Sequence, residues 1–171
     1  MELVTGSASI EDVDGFLDEL DRIGAETGCT VQAFDARYVA GPDHLRRAVE
    51  LADRAIDRDD NVARDRKVEI LLYAAGRRQI DRALEMGVGS GETPVVVAVV
   101  ADPETPDPAT RERQSVENIE GLSAVDPGGV EYGDPDRIRG FFGIDDAELD
   151  ATDADLSDLV VERVALLSVD R

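Results

Sequence analysis

The chain has 171 residues, a formal net charge of −21 and a hydrophobic fraction of 42%. That length carries one real core, and the apolar fraction excludes disorder despite the charge. No apolar run approaches the ~20 residues of a membrane-crossing helix, and the single cysteine, Cys29, excludes an internal disulfide and a cysteine zinc cage.

In chain order, residues 2–5 read as a short strand ending at Gly6. Ser9 can cap a helix with Ile10, Val13, Leu17, Leu20 and Gly24 on one face and Gly28 as terminator. CTVQAFDA (29–36) reads as a strand. Asp43 is a candidate N-cap for a helix whose core stripe is Leu45, Ala48, Val49, Ala52 and Ile56, ended by DRDDN at 57–61. A helix over about 65–75 stops at Gly76, and another covers about 77–86. TPVVVAVVAD has the continuous apolar character of a strand buried on both faces. Beyond Pro103 a helix is expected near 109–121, then, within GGVEYGDPDRIRGFFGIDD (128–146), a short strand and a helix capped by Asp134 with Pro135 at its first position, and a last helix from Leu156 to Ser168. The fold class is α/β (α+β): one domain over residues 1–171, with a small mixed sheet covered by several helices. The opening MELVTGSASIEDVDG has neither a basic start nor a long apolar stretch, so no signal peptide is expected, and the expected compartment is the cytoplasm.

Asp and Glu together number 39, of which 24 are Asp; Lys and Arg number 18, of which 17 are Arg. An Asp-rich surface almost without lysine looks like that of proteins from extreme halophiles, where carboxylates hold water and like charges keep molecules apart. The alternative is an acidic surface built for a basic partner. The uneven distribution says more. From Arg37 to Arg82 the balance is +2, against −23 for the remaining residues. Helix-surface ion pairing, for which Glu50 and Arg54 have i,i+4 spacing, competes here with docking of something negative.

A search for chemistry yields no catalytic residues, no metal site and no cofactor. GVGSG at 87–91 follows a helix and precedes a strand, the reverse of a phosphate loop. DRDDN fails as a calcium loop because Val62 and Val68 stand where glycine and glutamate are needed. His44, the single histidine, falls in the first turn of its helix, where the dipole disfavours a ring proton, and no nucleophile is tied to it by spacing. Two features stand above background. At the Gly76 break, Arg77, Arg78 and Gln79 open the next helix, where free N–H groups would suit a phosphate and guanidinium planes would suit unpaired bases; a charged first turn is the alternative. The last helix has Leu156, Leu159, Val160, Val164 and Leu167 on one face, widened by Val161 and Ala165, enough for a core and a partner surface or for a core alone.

VQAFDARYVAGPDHLRRAV, KVEILLYAAGRRQIDRALEMGV, TPVVVAVV and LVVERVALLSV, in that order, resemble the small regulatory subunit of the KEOPS complex, the p53-related-protein-kinase-binding-protein family, in its halophilic archaeal type. The resemblance implies a non-catalytic protein that binds and stimulates the small atypical kinase/ATPase of that complex. It also implies a role in recruiting tRNA, through its 3′ CCA end, for threonylcarbamoyladenosine synthesis. Carried over by position, the tRNA-binding candidates are Asn61, Arg64, Lys67, Arg77, Arg78 and Gln79. The kinase-facing candidates are Val160, Arg163, Val164 and Leu167.

Overall fold

The computed structural model describes residues 1–169 and contains two compact units, each discontinuous in sequence: residues 1–36 with 87–131, and residues 37–86 with the described residues from 132 onward. The first unit is built on a four-stranded sheet of β1 (Glu2–Ile10), β2 (Cys29–Asp35), β3 (Gly91–Ala101) and β4 (Val125–Pro127), with α1 (Val13–Thr27) and α5 (Pro108–Glu120) packed on it. The second is helical: α2 (Pro42–Asp57), α3 (Arg66–Ala75), α4 (Ile80–Ala83), α6 (Pro135–Phe142), α7 (Asp146–Asp150) and α8 (Leu156–Leu166).

The α/β class is the one read from the sequence, but the sheet is antiparallel at every pairing where a mixed sheet was expected. The order β2-β3-β1-β4 explains the difference. The connection through α1 leaves β1 and β2 running the same way, as a strand–helix–strand unit does, but β3 inserts between them and opposes both. The apolar run of β3 therefore lies inside the sheet, buried from Val95 to Val100. One sheet face packs Val4, Ala8, Val31, Val95, Val97 and Val99 against Phe16, Leu20 and Ile23 of α1 and Ile119 of α5.

Gly6 does not end β1. The strand runs on to Ile10, pairing with β3 along its length. Gly6 is there because β4 passes so close that a Cβ would fall 2.2 Å from the Asp126 carbonyl oxygen. Helix α1 accordingly starts after Asp12 and not at Ser9, which belongs to the strand. The short strand expected after residue 128 is instead β4, just before it. Asp134 caps α6 as expected, accepting from the Asp136 N–H at 3.1 Å with Pro135 in the first turn.

In the helical unit, α2 buries His44, Leu45, Ala48, Val49, Leu51, Ala52 and Ala55, while α3 is buried from Glu69 to Ala75. A helix apolar on nearly all sides is an interior helix, and α3 packs against α2, α4 and α8. It ends in a Schellman turn: Gly76 takes φ 61°, its N–H donates to Tyr73 O at 3.0 Å, and the Arg77 N–H donates back to Leu72 O at 3.0 Å.

Candidate functional site

The basic segment surrounds α3. The loop before the helix is pinned by Glu69, a carboxylate only 2% exposed. It accepts the Ala63 N–H at 2.8 Å and the Val62 N–H at 3.2 Å, and Asn61 Nδ2 donates to the Ala63 carbonyl at 2.8 Å. Burying an acid is costly unless its oxygens are bonded, and here two backbone donors supply the bonds. The Asn61 amide is thus occupied in shaping its own loop, which leaves Arg64 exposed beside it.

Ion pairs engage at least five of the ten arginines between residues 37 and 82. Arg46 meets Asp43 at 3.0 Å; Arg47 and Arg54 both meet Glu50, at 2.9 and 2.8 Å; Arg82 meets Glu85 at 3.3 Å; and Arg66 forms a two-pronged pair with Asp53 at 2.8 Å. The ion-pairing account therefore holds for these five, including the i,i+4 pair of Glu50 and Arg54. Among the described residues, the side chains of Arg64, Arg78 and Gln79 are exposed and have no hydrogen-bond or ion-pair partner, whereas Lys67 is engaged.

The six tRNA-binding candidates thus fall into two groups. Arg64, Arg78 and Gln79 present free polar groups to solvent, whereas Asn61, Lys67 and Arg77 are engaged. Arg77 sends Nη2 to the Phe141 carbonyl and lays its guanidinium over the Phe141 ring, 5.0 Å from the centroid. The helix expected over 77–86 is shorter: Gln79 precedes a four-residue α4, followed by a 3-10 turn over Leu84–Met86. No anion-meeting helix start exists at Arg77, because its N–H is consumed by the Schellman turn.

The kinase-facing candidates also separate. Helix α8 packs against α2, α3 and α6 and fully buries Val160 and Val164, so these two belong to the core of their own unit and offer no surface to a partner. Of the two uses left open for this stripe, a core with a partner surface or a core alone, its centre serves the core. Arg163 holds Glu148 with two bonds of 2.7 Å and reaches the carbonyls of Phe142 at 3.2 Å and Gly143 at 3.3 Å. The Glu148 carboxylate raises the affinity of this guanidinium for its proton above the usual arginine value. Leu167 is half-buried. With Val62, Tyr73, Arg77 and Arg78 it lines a cavity of about 110 Å3, in which the basic turn and the end of α8 meet.

Exposed apolar residues were missed by sequence reasoning: Val62, Ile80, Leu84 and Leu166 all reach solvent in the helical unit. Only Ile80 and Leu84, four apart across α4 and the 3-10 turn that follows it, carried a sequence signal.

His44 is fully buried, and both of its ring nitrogens are bonded to backbone. Its Nδ1 accepts the Ala40 N–H at 3.1 Å, which fixes the proton on Nε2, and Nε2–H donates to Ala74 O at 2.7 Å. Burial lowers its pKa to about 4 despite the opposing bond to Ala74. A cleft of about 500 Å3 in the first unit gathers Glu11, Asp12, Glu19 and Glu92, all exposed. Among the described residues no group of three or more His, Cys, Asp or Glu is placed to hold a metal ion, and no helix is long and apolar enough to cross a membrane.

An α/β fold whose candidate site is an open, arginine-rich helix-and-turn surface defines the class in structural terms. The family follows from sequence: the profile described as kinase binding protein CGI-121 matches residues 9–168, and the chain belongs to that family. No curated protein matches the chain.

Proposed function

We propose that this chain is a non-catalytic, cytoplasmic subunit of a KEOPS tRNA-modifying complex of halophilic archaeal type, acting as a single functional unit. It binds and stimulates the small kinase/ATPase and helps recruit tRNA, through the 3′ CCA end, for threonylcarbamoyladenosine synthesis. Membership of a kinase-binding family is the observation that carries the reading. The partner surface on α8 is drawn from residues that keep exposure there: Val161, Ala165, Leu166 and Leu167.

The tRNA part is supported by Arg64, Arg78 and Gln79, unengaged polar groups in the chain's one segment of positive balance. At ~1 M salt the Debye length is about 3 Å, so attraction at a distance is small. Affinity then rests on close contacts: stacking of guanidinium planes on unpaired bases and direct hydrogen bonds. Arginine suits both better than lysine.

A second reading, a kinase-binding activator without tRNA contact, draws on the same geometry: five arginines are committed to carboxylates and Arg77 to Phe141. Binding of the purified chain to tRNA and to tRNA lacking its CCA end, in molar KCl, separates the two. Affinity lost on trimming supports tail holding, and no binding to either RNA leaves the kinase role alone. Co-purification with the kinase subunit and stimulation of its ATPase test the other half; an unaffected ATPase with no complex formed refutes it.

A further inference from the structure

Two cations converge on one helix end. Helix α6 finishes at Gly143, φ 66°, and its Schellman turn brings the Gly143 and Ile144 N–H groups onto Arg139 O. That turn leaves the last carbonyls, those of Phe141, Phe142 and Gly143, without helical donors. Arg77 supplies Phe141 O, while Arg163 supplies Phe142 O and Gly143 O. Both guanidiniums sit at the negative pole of the helix, where a cation is favoured.

The two arginines come from opposite halves of the candidate site. Arg77 follows the Gly76 turn, next to Arg78 and Gln79, and Arg163 lies on α8. The turn and α8 also lie close together: a Cβ added at Gly76 would fall 3.5 Å from the Arg163 carbonyl oxygen and 3.9 Å from the Phe142 ring. The Phe142 ring in turn meets His44 edge-on at 5.7 Å, and His44 bonds Ala74 in the last turn before Gly76. The position of the turn is thus fixed from three sides, two of which, Arg77 on Phe141 and His44 on Phe142, pass through the end of α6.

We infer that Arg77 and Arg163 are positioning residues that jointly cap α6, coupling the partner-facing helix α8 to the tRNA-facing residues Arg78 and Gln79. This rests on the tRNA reading above for its functional half. Arg77 is already committed to a buried carbonyl and a ring face, so a phosphate gains it only by uncapping α6. Arg78, with no partner among the described residues, is the free contact. A ligand that immobilises α8 holds Arg163, hence the α6 end, hence the turn. The chain then binds RNA with less ordering left to do, and the two ligands favour each other.

The test is tRNA affinity of the full chain over a KCl series, for wild type and for Arg77→Gln, Arg78→Gln and Arg163→Gln. A lost phosphate contact lowers the slope of log affinity against log salt by about 0.7, whereas a lost positioning contact weakens binding at every salt with the slope unchanged. Arg78→Gln is expected to lower the slope. Arg77→Gln and Arg163→Gln are expected to weaken binding about fivefold with the wild-type slope, and Arg77→Lys, which keeps a donor for Phe141 O, to recover most of the loss. A reduced slope for Arg77→Gln, or unchanged affinity for Arg163→Gln, overturns the inference. Should a glutamine variant fail to fold, Arg163→Lys takes its place, with a smaller loss expected and none overturning the inference.

If the wild-type chain binds no tRNA, the functional reading falls and hydrogen exchange decides the coupling itself. Faster exchange at the amides of residues 76–79 in Arg163→Gln sustains it, and unchanged exchange there refutes it.

Discussion

His44 Nε2–H donates to the carbonyl of Ala74 across 2.7 Å of fully buried space, tying the start of α2 to the last turn of α3. The pair requires a neutral ring, because Nδ1 is occupied as acceptor of the Ala40 N–H. Burial depresses the folded pKa from 6.5 to about 4, so the unfolded chain binds a proton first as pH falls. Stability from this group is complete above pH 6.5 and declines between 6.5 and 4. The expected loss is about 2 kcal/mol at pH 5 and about 3 kcal/mol at pH 4. Denaturation midpoints in molar KCl at pH 7.5 and pH 5 should differ more for wild type than for His44→Gln. Equal pH dependence of the two proteins would contradict the assignment.

Glu69 holds the loop before α3 through the Val62 and Ala63 amides. Glu69→Ala leaves both donors unpaired, at a cost of about 2–3 kcal/mol, with faster amide exchange confined to residues 62–65. Glu69→Gln keeps one carbonyl acceptor and should lose about half as much. Denaturant titration of the two variants tests the order.

Val160 and Val164 test the revised view of α8. Alanine at either position should cost about 2 kcal/mol of stability, with kinase affinity unchanged in the folded variant. Leu166→Ala, at a side chain 40% exposed, should do the reverse. Calorimetry and a binding titration on the same three variants read both quantities. Kinase affinity lost in a stable Val164→Ala would return that residue to the interface.

Gly6→Ala should separate β1 from β4, since the new methyl would meet the Asp126 carbonyl oxygen at 2.2 Å. The expected cost is about 1–3 kcal/mol, with exchange accelerating at Ser9 and Gly128, whose amides depend on that edge. A variant as stable as wild type would show that the edge can shift freely.

Long one-sided or all-apolar patterns were legible in the sequence, and contacts between distant residues were not. The run at 95–100 announced a buried strand, and the stripe through Leu45, Ala48 and Ala52 announced α2. The second half of β1 was hidden because Gly6, Ser7, Ala8 and Ser9 have little strand preference of their own; pairing with β3 extends the strand. Helix α7, DAELD, is too short to show a periodic apolar face and buries no residue, and its Asp145 cap becomes meaningful only once Glu148 is seen to hold Arg163. The candidate site was legible as a charge imbalance. Which arginines are committed depends on partners such as Phe141, 64 residues from Arg77, and local spacing carries no record of that.

The interleaving of the two units sets an order on the chain as it leaves the ribosome. The sheet unit needs nothing beyond residue 131, whereas the helical unit includes residues as late as the C-terminal helix. For the whole interval between those two points, the nascent polypeptide carries a finished sheet and an apolar helix pair, α2 and α3, still waiting for α8 to cover it. A message truncated before residue 156 would leave that state permanent, with apolar surface of the kind that chaperones and proteases act on.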